Sequence, residues 1–218
     1  MTQCRALGCA KEASTFGAYC STHNSRRRKN GHEHQRNIRA VELSPFLDLV
    51  QARRLRNLEN PVWPALGGRW QGLVAEAQGI LAVYEGGKPT LDHMRAAAEE
   101  IIRLDQTALA TTIMEVALAM TMYWQLVPRV FLSDDAFKAQ LVRRVVRVSP
   151  SNAKVYNGPD RHKRAYRELS PRVMDVLSTW LLSAFGAAGM KLADLEARDR
   201  AEADRISTEL NKGLEDLN

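Results

Sequence analysis

The sequence predicts a mostly α-helical protein that begins with a small metal-binding module, and three observations lead to this. All three cysteines lie within the first twenty residues and a histidine follows the last of them. From about residue 38, apolar residues recur at the three- and four-residue intervals of a helix. With 218 residues, 45% of them hydrophobic and 26% charged, the chain is long enough to bury a core. We expect a zinc module over residues 1–37, an all-α body over residues 38–189 with at most one short β-hairpin, and an amphipathic helix over residues 190–218.

The first element is a candidate metal site formed by Cys4, Cys9, Cys20 and His23. Four residues separate the first pair, ten residues form a loop, and two residues separate the second pair. Each pair can come from one turn, and the loop can fold back to close a tetrahedral site of three thiolates and one imidazole. A disulfide framework would leave one cysteine over, and no acid or amide stands nearby to orient the histidine as the base of a catalytic thiol. The spacing predicts structural Zn²⁺, which supplies free energy that so small a core lacks.

The stretch from Cys4 to Arg36 contains a cysteine pair, then YCSTH, and then the basic run NSRRRKNGH. It resembles the short treble-clef-like zinc fingers at the start of many small phage and mobile-element proteins, some of them related to HNH nuclease modules. The resemblance implies that the second ligand pair opens a helix at Ser21 and Thr22, which projects the following arginines outward. It covers residues 4–36 and leaves the rest of the chain without a counterpart.

The body begins with a helix over residues 38–59, in which Ser44 and Pro45 form a good N-cap and first-turn pair. A second helix is expected over residues 66–84, where two glycines and a proline end it. A third runs from residue 90 to residue 128. Because it is longer than an average helix, we expect a break near residues 105–107.

The second half of the body contains a helix over residues 133–144, which the SDD motif caps. Two β-prone runs around a turn-rich link predict a hairpin over residues 145–156. A further helix starts at Ser170 and Pro171 and is expected to end at Gly186. The last helix, over residues 190–217, carries a narrow apolar stripe that could pair two subunits.

One apolar stretch, residues 107–128, is long enough to raise the question of a membrane span. It carries Glu115 near its centre and has no basic flank, so a buried core helix is the better interpretation. Polar and charged residues follow Met1 where a secretory signal would be apolar. We therefore expect a cytoplasmic protein with no membrane partner.

The net charge of +6 is unevenly placed. Residues 1–40 hold eight basic residues against two acidic ones, and residues 138–172 hold ten against two. Two separated basic blocks favour contact with phosphate at two places. The candidate nucleic-acid contacts are Arg26, Arg27, Arg28, Lys29, Arg36, Arg39, Arg143, Arg144, Arg147, Lys154, Arg161, Lys163, Arg164 and Arg167. DNA is the expected partner, with RNA as the alternative.

These observations predict a non-enzymatic DNA-binding protein, in which no residue is assigned a catalytic role, and the resemblance of residues 4–36 implies a regulator or accessory factor of a phage or mobile element. Two alternatives stay open. One is an HNH-like endonuclease, for which His32 and His34 with Asn24, Asn30 and Glu33 would be candidates. The other is an adaptor whose finger binds a host protein. A homodimer through the C-terminal helix is also expected.

Overall fold

The computed structural model describes residues 2–15, 17–157 and 162–215, with the side chains of residues 154–157, 162–165 and 213–215 left out of the description. The described part is mostly α-helical with one antiparallel hairpin, which confirms the predicted fold class. The elements in chain order are α1 Ser21–Asn30, α2 Ala40–Arg56, α3 Val62–Glu85, α4 Asp92–Thr107, α5 Ala110–Leu126, α6 Asp134–Val146, β1 Ala153–Asn157, β2 His162–Tyr166 and α7 Pro171–Glu215.

Helix α5 is the central element of the body. Its residues 113–123 are all buried, and it packs against α2, α3, α6 and α7. The apolar stretch that contains α5 is therefore a core helix, as predicted. The expected break before it is also present, because α4 ends at Thr107 and α5 begins at Ala110.

A buried ion pair joins α2 to α5. The Oε1 atom of Glu115, whose residue is 4% exposed, accepts a hydrogen bond from Nε of Arg54 at 2.7 Å, and its Oε2 accepts one from Gln51 at 2.9 Å. Both carboxylate oxygens are thus satisfied, which is what allows a charge inside the core.

Helix α2 begins two residues after the predicted start at residue 38, but not with the predicted N-cap pair. Ser44 and Pro45 lie inside the helix, and Ala40 is its first residue. The cause is Glu42, whose Oε2 accepts a hydrogen bond from the backbone N–H of Arg39 at 2.8 Å and so caps the helix start. The expected cap at Ser44 was wrong. Helix α3 begins at Val62, four residues before its predicted start at residue 66.

The hairpin lies further along the chain than predicted. The run expected to be its first strand, residues 145–148, forms the end of α6 and the turn after it. The strand expected second is instead β1, and it pairs with β2 in a register that places Ala153 opposite Tyr166. Val145 and Val146 are buried in the core, which keeps this run helical despite its β propensity.

Helix α7 continues through the predicted end at Gly186 and through the expected module boundary at residues 189 and 190. Phe185 and Leu192 are buried on either side of that boundary, so the same apolar face runs through it. Gly189 lies against α5, where an added Cβ would sit 2.6 Å from Cβ of Thr121. The glycine is therefore a point of close helix packing.

One described helix is long and apolar enough to cross a membrane by length and composition, namely α7 over Pro171–Lys212. Half of its most apolar window is buried inside the protein, and a single such helix is weak evidence for a membrane span. The structure is thus compatible with a soluble protein.

Candidate metal centre and basic surface

The four predicted ligands meet in one cluster. The ligand atoms of Cys4, Cys9, Cys20 and His23 all lie within 4.8 Å of one another. The Sγ atoms of Cys9 and Cys20 are 3.9 Å apart, and Nδ1 of His23 is 3.5 Å from Sγ of Cys4 and 3.3 Å from Sγ of Cys20. The group could hold a metal ion.

The spacing within the cluster fits a tetrahedral centre. Metal–sulfur bonds of about 2.3 Å and a metal–nitrogen bond of about 2.0 Å place two sulfurs about 3.8 Å apart and a sulfur and a nitrogen about 3.5 Å apart. The observed separations of 3.9, 3.5 and 3.3 Å match this geometry. Cys4, Cys9, Cys20 and His23 would thus be the ligands of a closed four-coordinate site.

The local backbone explains how the ligands converge. The first pair lies on a tight loop in which the N–H of Cys9 donates to the carbonyl of Ala6 at 3.0 Å and Gly8 has φ of +73°. The second pair lies at the start of α1, where Cys20 is the N-cap residue. The backbone N–H of Cys20 donates to Sγ of Cys4 at 3.2 Å, which ties the loop to the helix.

The surroundings favour a thiolate at Cys4. Burial raises its pKa, but hydrogen bonds from the backbone N–H groups of Cys20 and Ala6 and from the side chains of His23 and Cys20 outweigh burial and lower the pKa to about 6. At Cys9 the backbone hydrogen bond from Lys11 lowers the pKa, but burial and the neighbouring thiols of Cys4 and Cys20 together raise it by more. The pKa of Cys9 therefore lies above its usual value. A metal cation would remove this repulsion between thiolates.

Helix α1 presents a basic surface immediately after the ligands. Arg26, Arg27 and Arg28 are exposed, and the guanidinium of Arg27 lies 5.3 Å from the ring centre of Tyr19. The helix sequence STHNSRRRKN contains no acidic residue. The prediction that these arginines lie on a helix beginning at the second ligand pair is therefore confirmed.

The end of α1 is fixed to the body by buried polar contacts. The side chain of Asn30 donates to the carbonyl of Gln35 at 2.7 Å and its Oδ1 accepts from Gln140 at 3.3 Å. Gly31 has φ of +78° and lies so close to α6 that an added Cβ would be 2.1 Å from the carbonyl oxygen of Asp135. Sequence reasoning missed these contacts, since nothing in the sequence distinguishes a buried Asn or Gln from an exposed one.

Several predicted nucleic-acid residues instead make contacts within the protein. Arg36 forms a bidentate pair with Glu42, and its hydrogen bonds lower the pKa of that carboxyl to about 2. Arg167 pairs with Glu100, which is fully buried. Arg39 also pairs with Glu42, with Nε of Arg39 3.4 Å from Oε2 of Glu42.

The arginines of α6 are partly buried. Arg143 donates to the carbonyl of Lys29 at 3.0 Å, and burial, with the charge of Arg147 adding to it, lowers its pKa. Burial likewise lowers the pKa of Arg144. Arg147 lies over the ring of Tyr166 at 4.5 Å. The side chains of Lys154, Arg161, Lys163 and Arg164 lie outside the described part of the structure.

The two basic blocks, distant in sequence, are neighbours in the fold. Lys29 of the first block and Arg143, Arg147 and Arg167 of the second line one cavity of about 310 Å³. The sequence predicted two basic blocks but contained no signal that they are adjacent.

The histidines considered for an endonuclease gather near the metal ligands. The ring of His34 lies 5.3 Å from that of His23 and 6.0 Å from that of His32. Glu33 is 3.9 Å from His32. Asn30, in contrast, is buried and occupied by structural hydrogen bonds. Among the described residues, the grouping with metal-ligand geometry is the Cys3His cluster.

Fold and cluster together define a mostly α-helical protein with an N-terminal Cys3His cluster that could hold a metal ion. No protein-family model, curated protein or solved structure matches the chain.

Proposed function

We propose that this chain is a DNA-binding protein whose N-terminal finger is held by structural Zn²⁺ and whose helix α1 contacts the phosphate backbone. Three thiolates and one imidazole in a closed tetrahedral set suit zinc among biological metals. The ion would link the loop of Cys4 and Cys9 to the start of α1. The role of the ion would be that of a structural cross-link, because protein ligands would fill all four of its coordination positions.

The observation that carries the proposal is the run of four basic residues on α1, a helix without an acidic residue. The metal ligands fix one end of this helix and the body fixes the other, so its basic face is held in one orientation. Basic side chains on an oriented helix supply the phosphate contacts that dominate nucleic-acid affinity. The resemblance of residues 4–36 to phage and mobile-element fingers supports a role as a regulator or accessory factor of such an element.

Salt-dependent binding to a fluorescein-labelled DNA duplex tests the proposal. Replacing Arg26, Arg27 and Arg28 with Gln should weaken binding and flatten the slope of log affinity against log salt by about 0.9 for each phosphate that the variant no longer neutralises. The matched control replaces Arg198, Arg200 and Arg205, on the exposed end of α7, with Gln and makes the same change in net charge.

Equal effects of the two triple variants would contradict the proposed role of α1. An RNA duplex of the same sequence distinguishes DNA from RNA as the partner. If neither duplex binds, the proposal is overturned, and the protein-interaction adaptor is the class that remains.

An endonuclease is the second candidate, favoured by the gathering of His23, His32 and His34 beside the cluster. Cleavage of an intact plasmid with added Mg²⁺ or Mn²⁺ tests it. Loss of cleavage in His32→Ala and His34→Ala variants that retain the structural metal would support a nuclease, and an uncut plasmid would exclude it.

A further inference from the structure

The cavity of about 310 Å³ lies where the end of α1, the second half of α6 and the segment after β2 meet. Four cationic side chains line it, from Lys29, Arg143, Arg147 and Arg167, against the single carboxylate of Glu168.

The positive charge in this cavity is only partly balanced. Glu168 is 3.1 Å from Nζ of Lys29 and 4.0 Å from a guanidinium nitrogen of Arg143, so one carboxylate serves two cations. Arg167 is compensated by its pair with Glu100 of α4. Arg147, in contrast, lies over the ring of Tyr166 and has no carboxylate partner within the described residues. The cavity therefore carries excess positive charge in a partly buried setting, where an anion is attracted more strongly than at an open surface.

The position of Glu168 allows its carboxylate to move out of the cavity. Its side chain is 47% exposed, and it lies in the irregular segment between β2 and α7. Exposed ion pairs of this kind contribute little to stability, so release of the carboxylate has a small cost.

We propose that this cavity is a binding site for a phosphate group and that the Glu168 carboxylate occupies it as an internal competitor in the free protein. A carboxylate and a phosphate both present oxygens that accept hydrogen bonds from guanidinium and ammonium groups, and the phosphate offers more of them. Where the phosphate comes from DNA, the inference rests on the proposed function. Where it is a free phosphate, the site stands independently.

The test compares Glu168→Gln with Glu99→Gln. Glu99 lies on α4, has a side chain that is 42% exposed and pairs with Arg95 at 2.9 Å, so the control removes the same charge from a similar pair away from the cavity. Glu168→Gln should bind the labelled DNA duplex about three- to tenfold more tightly than the unmodified protein, with a salt slope steeper by about 0.9 because one more phosphate is contacted. Glu99→Gln should change affinity less than about twofold.

A second arm uses inorganic phosphate alone, followed through the backbone amide NMR shifts of the full chain. Glu168→Gln should bind phosphate more tightly than Glu99→Gln, with the largest shifts around Lys29 and Arg147. Adding Arg147→Gln to Glu168→Gln should remove the gain, which would identify this cavity as the site.

The outcomes separate the two proposals. If the duplex binds but Glu168→Gln and Glu99→Gln behave alike toward duplex and phosphate, the cavity proposal is overturned and the DNA-binding proposal stands. If no duplex binds while Glu168→Gln gains phosphate binding, the cavity proposal holds for free phosphate and the DNA-binding proposal is wrong. If neither the DNA duplex nor inorganic phosphate binds, both the cavity proposal and the DNA-binding proposal are overturned.

Discussion

Arg143 of α6 donates a hydrogen bond from Nη1 to Oδ1 of Asn30, the last residue of α1, at 2.8 Å. The same nitrogen donates to the carbonyl of Lys29 at 3.0 Å. A cation at this place satisfies the carbonyl end of α1 and interacts favourably with its dipole. The orientation of the basic helix is therefore set by the body as well as by the metal ligands.

The metal centre leads to the first prediction. The chain purified under reducing conditions should hold one zinc ion, and Cys20→Ser should lower the zinc content measured by mass spectrometry well below one per chain. Hydrogen exchange should then show reduced protection over residues 2–30, while the body unfolds cooperatively, because its core is separate.

His34→Ala is the matched control for the metal site. The His34 ring lies 5.3 Å from that of His23 but does not belong to the four-ligand cluster. This variant should keep its zinc. Loss of zinc from His34→Ala, or full zinc retention by Cys20→Ser, would contradict the ligand assignment.

The second prediction concerns Gly31, where α1 meets α6. Gly31→Ala places a residue with a side chain in the left-handed conformation, which costs about 1–2 kcal/mol of stability. It also adds a Cβ that would lie 2.1 Å from the carbonyl oxygen of Asp135. The finger should detach or shift, which amide NMR shifts at the start of α6 would report. Gly87→Ala is the control, because Gly87 has φ of +76° but open space around it. Equal changes in melting temperature for the two variants would show that the close approach is unimportant.

The extent to which the sequence predicted the site follows from the range of the interactions involved. Cys20 and His23 are three residues apart on the same helix start, so their convergence could be predicted from spacing. The contact between Asn30 and Arg143 joins residues 113 positions apart, and no local pattern encodes it.

The same distinction applies to the fold. The break before α5 and the Ser133 cap of α6 are local features and were predicted. The shifted hairpin and the continuous α7 depend on burial of Val146 and on the fit of Gly189 against Thr121, and packing there overrides local propensity.

The third prediction concerns the buried pair of Arg54 and Glu115. Arg54→Met leaves the Glu115 carboxylate buried without its cation, which should lower the free energy of unfolding by about 3–5 kcal/mol. Adding Glu115→Leu should recover most of this stability, since an apolar pair of similar size suits the core. Urea denaturation of the single and double variants measures both. A double variant no more stable than Arg54→Met would contradict this account.

The fourth prediction is a pH dependence that arises from Glu42. Hydrogen bonds from Arg36 hold the pKa of Glu42 at about 2, below the value of about 4.3 for an unfolded chain. The carboxylate therefore stabilises the fold above the unfolded pKa, and this contribution is lost as the pH falls from about 5 to about 2. The difference in unfolding free energy between the unmodified protein and Glu42→Gln should shrink over that range. A difference that is constant with pH would show that the ion pair does not stabilise the fold.

The last prediction concerns the end of α7, where residues 197–212 are all exposed. Sixteen helical residues extend about 24 Å, and an isolated helix of this length is marginal in water. Within it, Ala203, Ile206 and Leu210 follow each other at spacings of three and four, which is the seam of a paired helix, and Ile206 and Leu210 are 47% and 63% exposed.

We expect this seam to pair with that of a second copy, which would also place two basic surfaces on one DNA. The charged side chain of Asp199 interrupts the apolar seam at the end nearer the body. The contact between the two helices should therefore be short, and the dimer should dissociate on dilution. Replacing Ile206 and Leu210 with Gln, a good helix former, should shift the mass measured by light scattering at tens of micromolar from dimer to monomer. Thr208→Gln, on the opposite side of the helix, should leave it unchanged. A full-length chain that is monomeric at this concentration would mean that α7 ends as a single helix, held by ion pairs such as Arg200 with Glu196 at 2.9 Å.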